Sequence, residues 1–198
     1  MSEGNERRRG LLIVLSGPGG VGKDTVITRL LQKDSAITYS ISYTTRPRRP
    51  YEVDGHHYSF VDDEGFQHLV HAGELLEHAT VNGYQYGTSR SRVEDAQRSG
   101  ADVLLKIEVQ GAEQVRRQRP DGLFIFLSPP SMEELVRRRH ARGTETEEDM
   151  RARQRLADWE MSFAEKYDHV VVNSDVDQAA EEIHDIIQRE RQARGAAV

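Results

Sequence analysis

The run Gly17-Pro18-Gly19-Gly20-Val21-Gly22-Lys23-Asp24-Thr25 sets two glycines and a lysine at the spacing Gly-x-x-x-x-Gly-Lys. Glycines at this spacing let main-chain N–H groups close around phosphate oxygens, and the lysine reaches the outer phosphates, so the run reads as a polyphosphate seat. The following position ordinarily carries Ser or Thr, whose hydroxyl meets Mg²⁺, but here it is Asp24. A carboxylate suits the positive end of a helix. It also repels a triphosphate, by about 4 kcal/mol for a pair about 4 Å apart at an effective dielectric of about 20. A cation is therefore needed beside it, either Mg²⁺ positioned by Asp24 or Thr25, or a cation of the protein itself.

The elements that must hold this loop are legible on either side of it. Leu11 to Ser16 is a short continuous apolar run, the pattern of a strand buried on both faces, and Lys23 to Gln32 has helical apolar spacing at Val26, Ile27, Leu30 and Leu31. Asp102 to Val109, Leu123 to Leu127 and His169 to Val172 read as further strands, with helical stretches from Gly111 to Gln118 and from Ser131 to Arg142. This alternation predicts an α/β fold with a parallel core sheet flanked by helices.

Residues 39–88 differ in character and read as a small antiparallel insertion. Asn82-Gly83 is a two-residue hairpin signal, and Asp62 to Ala72 predicts a short helix. Residues 137–163 are charge-rich and helix-prone, with Thr144-x-x-Glu147 as a capping box. Asp175 to Arg194 closes the chain as an amphipathic helix with Ala179, Ile183, Ile186 and Ile187 on one side.

Composition narrows the setting. The 198 residues suffice for one domain with a sizeable core, and a net charge of −6 argues against a nucleic-acid coat or a membrane-surface protein. The absence of cysteine removes disulfides and thiolate zinc sites and fits the reducing cytoplasm. Arg7, Arg8 and Arg9 belong to a tail over residues 1–9, and residues 195–198 to another. His56, His57, His68, His71 and His78 lack a carboxylate second shell and read as surface or packing residues, while Trp159 and Phe163, one helical turn apart, read as core packing.

Several segments in order resemble the guanylate kinase family. They are GPGGVGKDT, SYTTRPRRPYEVDGHHY, ELLEHATVNGYQYGT, IEVQGA, SPPSMEEL, RGTETEEDMRAR and VVVNSD, and the likeness runs from about Leu11 to Ala180. The resemblance implies a P-loop nucleotide kinase over residues 10–194, with the insertion at about 39–88 binding GMP and a helical lid at about 137–158. It implies transfer of the γ-phosphoryl of ATP to GMP with Mg²⁺, giving ADP and GDP. ATP would sit on Gly17, Gly19, Gly20, Val21, Gly22, Lys23, Asp24 and Thr25. The GMP phosphate would meet Ser42, Arg46, Arg49, Tyr58 and Tyr86, and the guanine edge Glu77, Thr88 and Glu108. Lys23, Arg46 and the lid arginines Arg138, Arg142 and Arg153 would carry the transferring charge.

On residue types alone, Glu77 reads as an exposed strand carboxylate and the arginines as solvated surface charge. The physical sense of the implied roles is nonetheless direct. Guanidinium groups and hydroxyls hold a phosphate dianion through charge-assisted bonds, and a buried carboxylate accepting from N1–H and N2–H₂ prefers guanine to adenine.

The chain departs from the family pattern at Asp24, at Lys106 where an acid is common, and at Glu108, one methylene longer than the expected Asp. The first two departures exchange charge, so Asp24 and Lys106 are predicted to be an ion pair at the strand ends. Two other functions stay open. The Gly-Lys-Asp run also resembles ribose 1,5-bisphosphate phosphokinase, and a non-catalytic guanylate kinase-like module would use the site for peptides.

Overall fold

A computed structural model describes residues 9–140 and 147–195, with side chains described at 9–138 and 154–195. The order of elements is β1 (Leu12–Ser16), α1 (Lys23–Lys33), β2 (Ile37–Tyr39), β3 (Tyr43–Thr44), β4 (Ser59–Phe60), α2 (Asp63–His71), β5 (Leu75–Val81) and β6 (Tyr84–Ser89). Then follow α3 (Arg90–Arg98), β7 (Asp102–Lys106), α4 (Val109–Gln118), β8 (Leu123–Ser128), α5 (Met132–His140), α6 (Glu147–Met161), β9 (His169–Val172) and α7 (Val176–Gly195). A five-stranded sheet has the order β2-β7-β1-β8-β9, and a four-stranded sheet the order β4-β3-β6-β5.

The chain divides into two compact units. The first holds the described residues up to Ile13 together with Ala36–Leu105 and Gln110–Gly122. In it β2 runs parallel to β7, with Thr38 opposite Val103, and β5 and β6 form the antiparallel hairpin. Asn82 and Gly83 take φ values of 50° and 81° at its tip, the left-handed pair that a two-residue turn needs to match strand twist. Register slips between Leu75 and Glu77, and as a result Leu75, Leu76 and Glu77 are all buried where strict alternation would expose one of them. Helix α2 is capped by Asp62, whose carboxylate accepts the Gly65 amide at 2.8 Å, and it buries Phe66.

The second unit holds Val14–Ser35, Lys106–Val109 and the described residues from Leu123 onward. Here β8 pairs in parallel with β9, Phe126 opposite Val170, and every residue of β8 is buried. Helix α7 turns Ala179, Ala180, Ile183, Ile186 and Ile187 inward and is held to the end of α1 by Asp34. The Asp34 carboxylate accepts from Arg191 Nη1 at 2.6 Å and lies 3.6 Å from His184 Nε2.

Two expectations need correction, and two elements were not foreseen. The run Asp102 to Val109 is not one strand: β7 ends at Lys106, α4 begins at Val109 rather than Gly111, and Glu108 lies in the turn between them. An apolar run marks burial but not where a strand gives way to a helix, because Val109 is as buried in the first helical turn as it would be in a strand. Trp159 is 41% exposed rather than in the core; it packs edge-on against Phe163 with ring centroids 4.8 Å apart. Strand β2 and helix α3 were not anticipated, since three residues give no periodicity and α3 buries only Val93 and Gln97. The capping residue Thr144 lies outside the described residues. Among the described residues no helix is long and apolar enough to cross a membrane.

Candidate active site

In the second unit the end of β1 delivers the chain into the glycine loop, and α1 leaves it at Lys23. Gly22 occupies the N-cap with φ 102°, and no side chain caps the helix. The first amides of α1 are thus not taken by a capping side chain, the condition under which a helix start receives an anion. The left-handed φ and a Cβ that would lie 2.7 Å from Asn173 Nδ2 both demand glycine here.

The loop is held from outside. The Val21 carbonyl accepts from Asn173 Nδ2 at 2.8 Å and from Arg138 Nη1 at 3.4 Å, while Gly19 N donates to Glu160 Oε2 at 3.3 Å. The Lys23 ammonium folds back onto the loop, donating to the Gly17 carbonyl at 2.5 Å and the Pro18 carbonyl at 3.4 Å. An ammonium held by carbonyls can exchange them for phosphate oxygens.

Asp24 and Thr25 are exposed at the first turn of α1. Lys106, at the end of β7, donates from Nζ to Asp24 Oδ1 at 2.5 Å. The expected ion pair is present, and the cation required beside Asp24 comes from the protein.

Arg138 on α5 is half-buried, and its Nε donates to Glu134 Oε1 at 2.8 Å. Arg137 pairs with the same carboxylate, and hydrogen bonds from Arg137 and then Arg138 hold Glu134 down at about 2. Arg142 lies outside the described residues, and Arg153 lies on α6 with its side chain outside them. Glu108 is half-buried in the turn after β7, beside Glu160 of α6.

In the first unit the structure gathers Arg46, Tyr58 and Tyr86. The Arg46 guanidinium lies 5.5 Å from the Tyr58 ring centroid, and the Tyr58 and Tyr86 rings are 5.9 Å apart, edge to face. The strands explain this: Thr44 of β3 stands opposite Tyr86 of β6, and Ser59 N donates to the Ser42 carbonyl at 2.9 Å, placing Ser42 next to β4.

Glu52 organises the basic residues. Its Oε1 accepts from Arg46 Nη2 at 2.6 Å, and its Oε2 accepts the Arg49 amide at 2.7 Å. The Arg46 hydrogen bond lowers the Glu52 carboxyl and in return raises the guanidinium, fixing both charges at any ordinary pH. The Arg49 guanidinium instead reaches the Tyr51 hydroxyl at 2.8 Å on the exposed rim.

Glu77 and Thr88 face each other across β5 and β6, both buried, and Thr88 Oγ1 donates to Glu77 Oε1 at 2.6 Å. Burial of an acceptor-only group and a hydroxyl that orients it is what reading a donor-bearing ligand edge requires. Gly111, in the first turn of α4, leaves the room: a Cβ there would stand 2.3 Å from Glu77 Oε2.

Sequence reasoning missed Glu52, Asn173, Gly111 and Glu160. Glu52 carried a faint signal, as the one carboxylate directly after the basic run RPRRPY. Glu160 carried none, being one acid on a helix rich in charge.

Comparison with known proteins identifies the family. A family model described as guanylate kinase matches residues 9–190. The chain is 46% identical over 186 residues to a guanylate kinase of Desulfitobacterium hafniense, covering 94% of this chain and 93% of that one. It is 48% identical over 185 residues to a guanylate kinase of Halalkalibacterium halodurans, covering 93% and 91%. The crystal structure of guanylate kinase from Anaplasma phagocytophilum is similar with a TM-score of 0.76 at 38% identity, covering 93% of this chain and 87% of that one.

Proposed function

The chain belongs to the guanylate kinase family, and we propose that it transfers the γ-phosphoryl of ATP to GMP, giving ADP and GDP, through the two residue sets described above. The glycine loop and Lys23 seat the ATP phosphates. Arg46, Tyr58, Tyr86, Ser42 and Arg49 bind the GMP phosphate, and Glu77 with Thr88 reads the guanine edge. Glu108 supports either set from the turn after β7. Phosphoryl transfer asks the protein for in-line positioning and for neutralisation of charge on the transferring group, so no side-chain general base is needed. Lys23, Arg138, Arg142 and Arg153 supply that charge. The reaction belongs to purine nucleotide metabolism in the cytoplasm.

Mg²⁺ enters as the partner of ATP, and the donor set at the start of α1 suits it. The Thr25 hydroxyl and the exposed Asp24 carboxylate are hard oxygen donors, although Asp24 already engages Lys106. The Thr25 hydroxyl would hold the ion, which would supply charge neutralisation to the transferring group.

The observation that carries the reading is the buried Glu77–Thr88 pair. A sugar bisphosphate offers no base edge to a buried carboxylate, and a peptide-binding module has no use for an uncapped glycine loop with its lysine.

Lys23→Met tests the donor half. The variant is expected to lose about 10²- to 10³-fold in kcat with MgATP and GMP, the range for one preorganised donor to developing charge. Undiminished turnover would overturn the assignment of Lys23.

A further inference from the structure

Glu160 is 3% exposed in the last turn of α6, and three separate segments converge on its carboxyl group. The glycine loop donates the Gly19 amide to Oε2 at 3.3 Å. Glu108, half-buried in the turn after β7, and the Lys23 ammonium at the start of α1 lie close enough to act on it electrostatically. Among the described residues these are the charged groups that act on it.

A buried carboxyl with a second carboxylate close by is not ionised cheaply, and a proton on it relieves both the desolvation and the repulsion. Burial first, and the Glu108 charge second, push Glu160 up to about 7, against the lowering pull of Lys23 and of the Gly19 amide. A protonated Glu160 can donate to Glu108 through one oxygen while the other keeps the Gly19 amide.

We propose that Glu160 is a positioning residue of the phosphate loop, holding a proton beside Glu108, and that this proton couples the seating of a polyphosphate to pH. The proposal rests on the nucleotide reading of the loop. A polyphosphate adds negative charge beside the pair and disfavours its second ionisation, so the occupied loop holds the proton more tightly than the free loop. Binding then takes up a proton in the window around and just above the Glu160 value, and affinity falls as the pH rises through that window. Below it both forms are protonated, and far above it neither is, so affinity levels off at each end. Each unit by which the nucleotide raises the pair weakens affinity by about tenfold across the window.

Glu160→Gln separates this coupling from simple packing. Its amide oxygen still accepts from Gly19, its NH₂ still donates to Glu108, and it stays neutral at every pH. Titration calorimetry with MgADP, in buffers of differing ionisation enthalpy near neutrality, should show fractional proton uptake by the wild-type protein and none beyond the ligand's own in Glu160→Gln. The MgADP affinity of the variant should stay flat from about pH 6 to about pH 9 where the wild type weakens. Glu108→Gln, which removes the second raising influence and leaves burial, should shift the uptake to lower pH and is read if Glu160→Gln does not fold. Equal proton uptake in wild type and variant would overturn the proposal while leaving the nucleotide site intact. Failure of MgADP to bind the wild type would instead remove the loop's nucleotide role, and the coupling with it.

Discussion

The Lys106 ammonium donates to the Asp24 carboxylate at 2.5 Å, so the acid that replaces the usual hydroxyl after the loop lysine is balanced by a base at the end of the neighbouring strand β7. Asp24 is 84% exposed in this pair and Lys106 19%, which limits the strength of the bond through solvent screening. Charge is conserved locally although both residues have changed type.

This relationship predicts coupling between the two sites. Asp24→Thr removes the carboxylate that accepts from Lys106 at the start of α1, and Lys106→Asp sets two carboxylates together beside the loop. The double variant has a hydroxyl facing an acid and should recover much of what each single change loses. A double-mutant cycle on kcat/KM for MgATP should give a coupling energy of about 1 kcal/mol. Strictly additive losses would contradict a working pair.

Gly111 has a separate consequence for acceptor recognition. A Cβ there would stand 2.3 Å from Glu77 Oε2, so Gly111→Ala must push the carboxylate off its Thr88 bond. Loss of one hydrogen bond to a charged group corresponds to about 10- to 100-fold. The KM for GMP should rise by that factor in Gly111→Ala and in Glu77→Gln, with the KM for ATP little changed. An equal rise for both substrates would mean that Glu77 does not read the acceptor.

Stability should also record the buried acid. Glu160 is raised to about 7 when folded, from an ordinary carboxyl value when unfolded, so between these values the folded state binds more protons than the unfolded one. Its contribution is fully present below the unfolded value and is lost as pH rises through the folded value. Relative to Glu160→Gln, the wild-type protein should lose on the order of 3 kcal/mol of unfolding free energy between about pH 4 and about pH 8. Denaturant melts of both proteins across that range measure the difference, and parallel curves would contradict the buried protonation.

The core was legible in the sequence because continuous apolar runs such as Leu12–Ser16 and Leu123–Ser128 have no other stable place than a sheet buried on both faces. The loop was legible because its glycines and lysine are local in sequence, and so was the hairpin at Asn82-Gly83. Charge exchange between Asp24 and Lys106 was readable as well, since the two changes compensate. What stayed hidden depends on contacts distant in sequence. Asn173 holds the Val21 carbonyl, and Glu160 the Gly19 amide, across well over a hundred residues; the segment VVVNSD marks Asn173 by resemblance without giving its role, and nothing near Glu160 marks it. Glu77 was nameable only by resemblance, because its burial comes from a register slip in β5 that alternation does not foresee.

Acceptor choice is the most direct test of the site as a whole. Initial velocities should be measured at saturating MgATP with GMP, dGMP, AMP and ribose 1,5-bisphosphate, followed by ADP release. GMP should exceed AMP and ribose 1,5-bisphosphate in kcat/KM by about 10⁴-fold, the discrimination of a site whose buried polar groups go unpaired with the wrong ligand. A kcat/KM for AMP or ribose 1,5-bisphosphate equal to that for GMP would contradict guanine reading by Glu77 and Thr88.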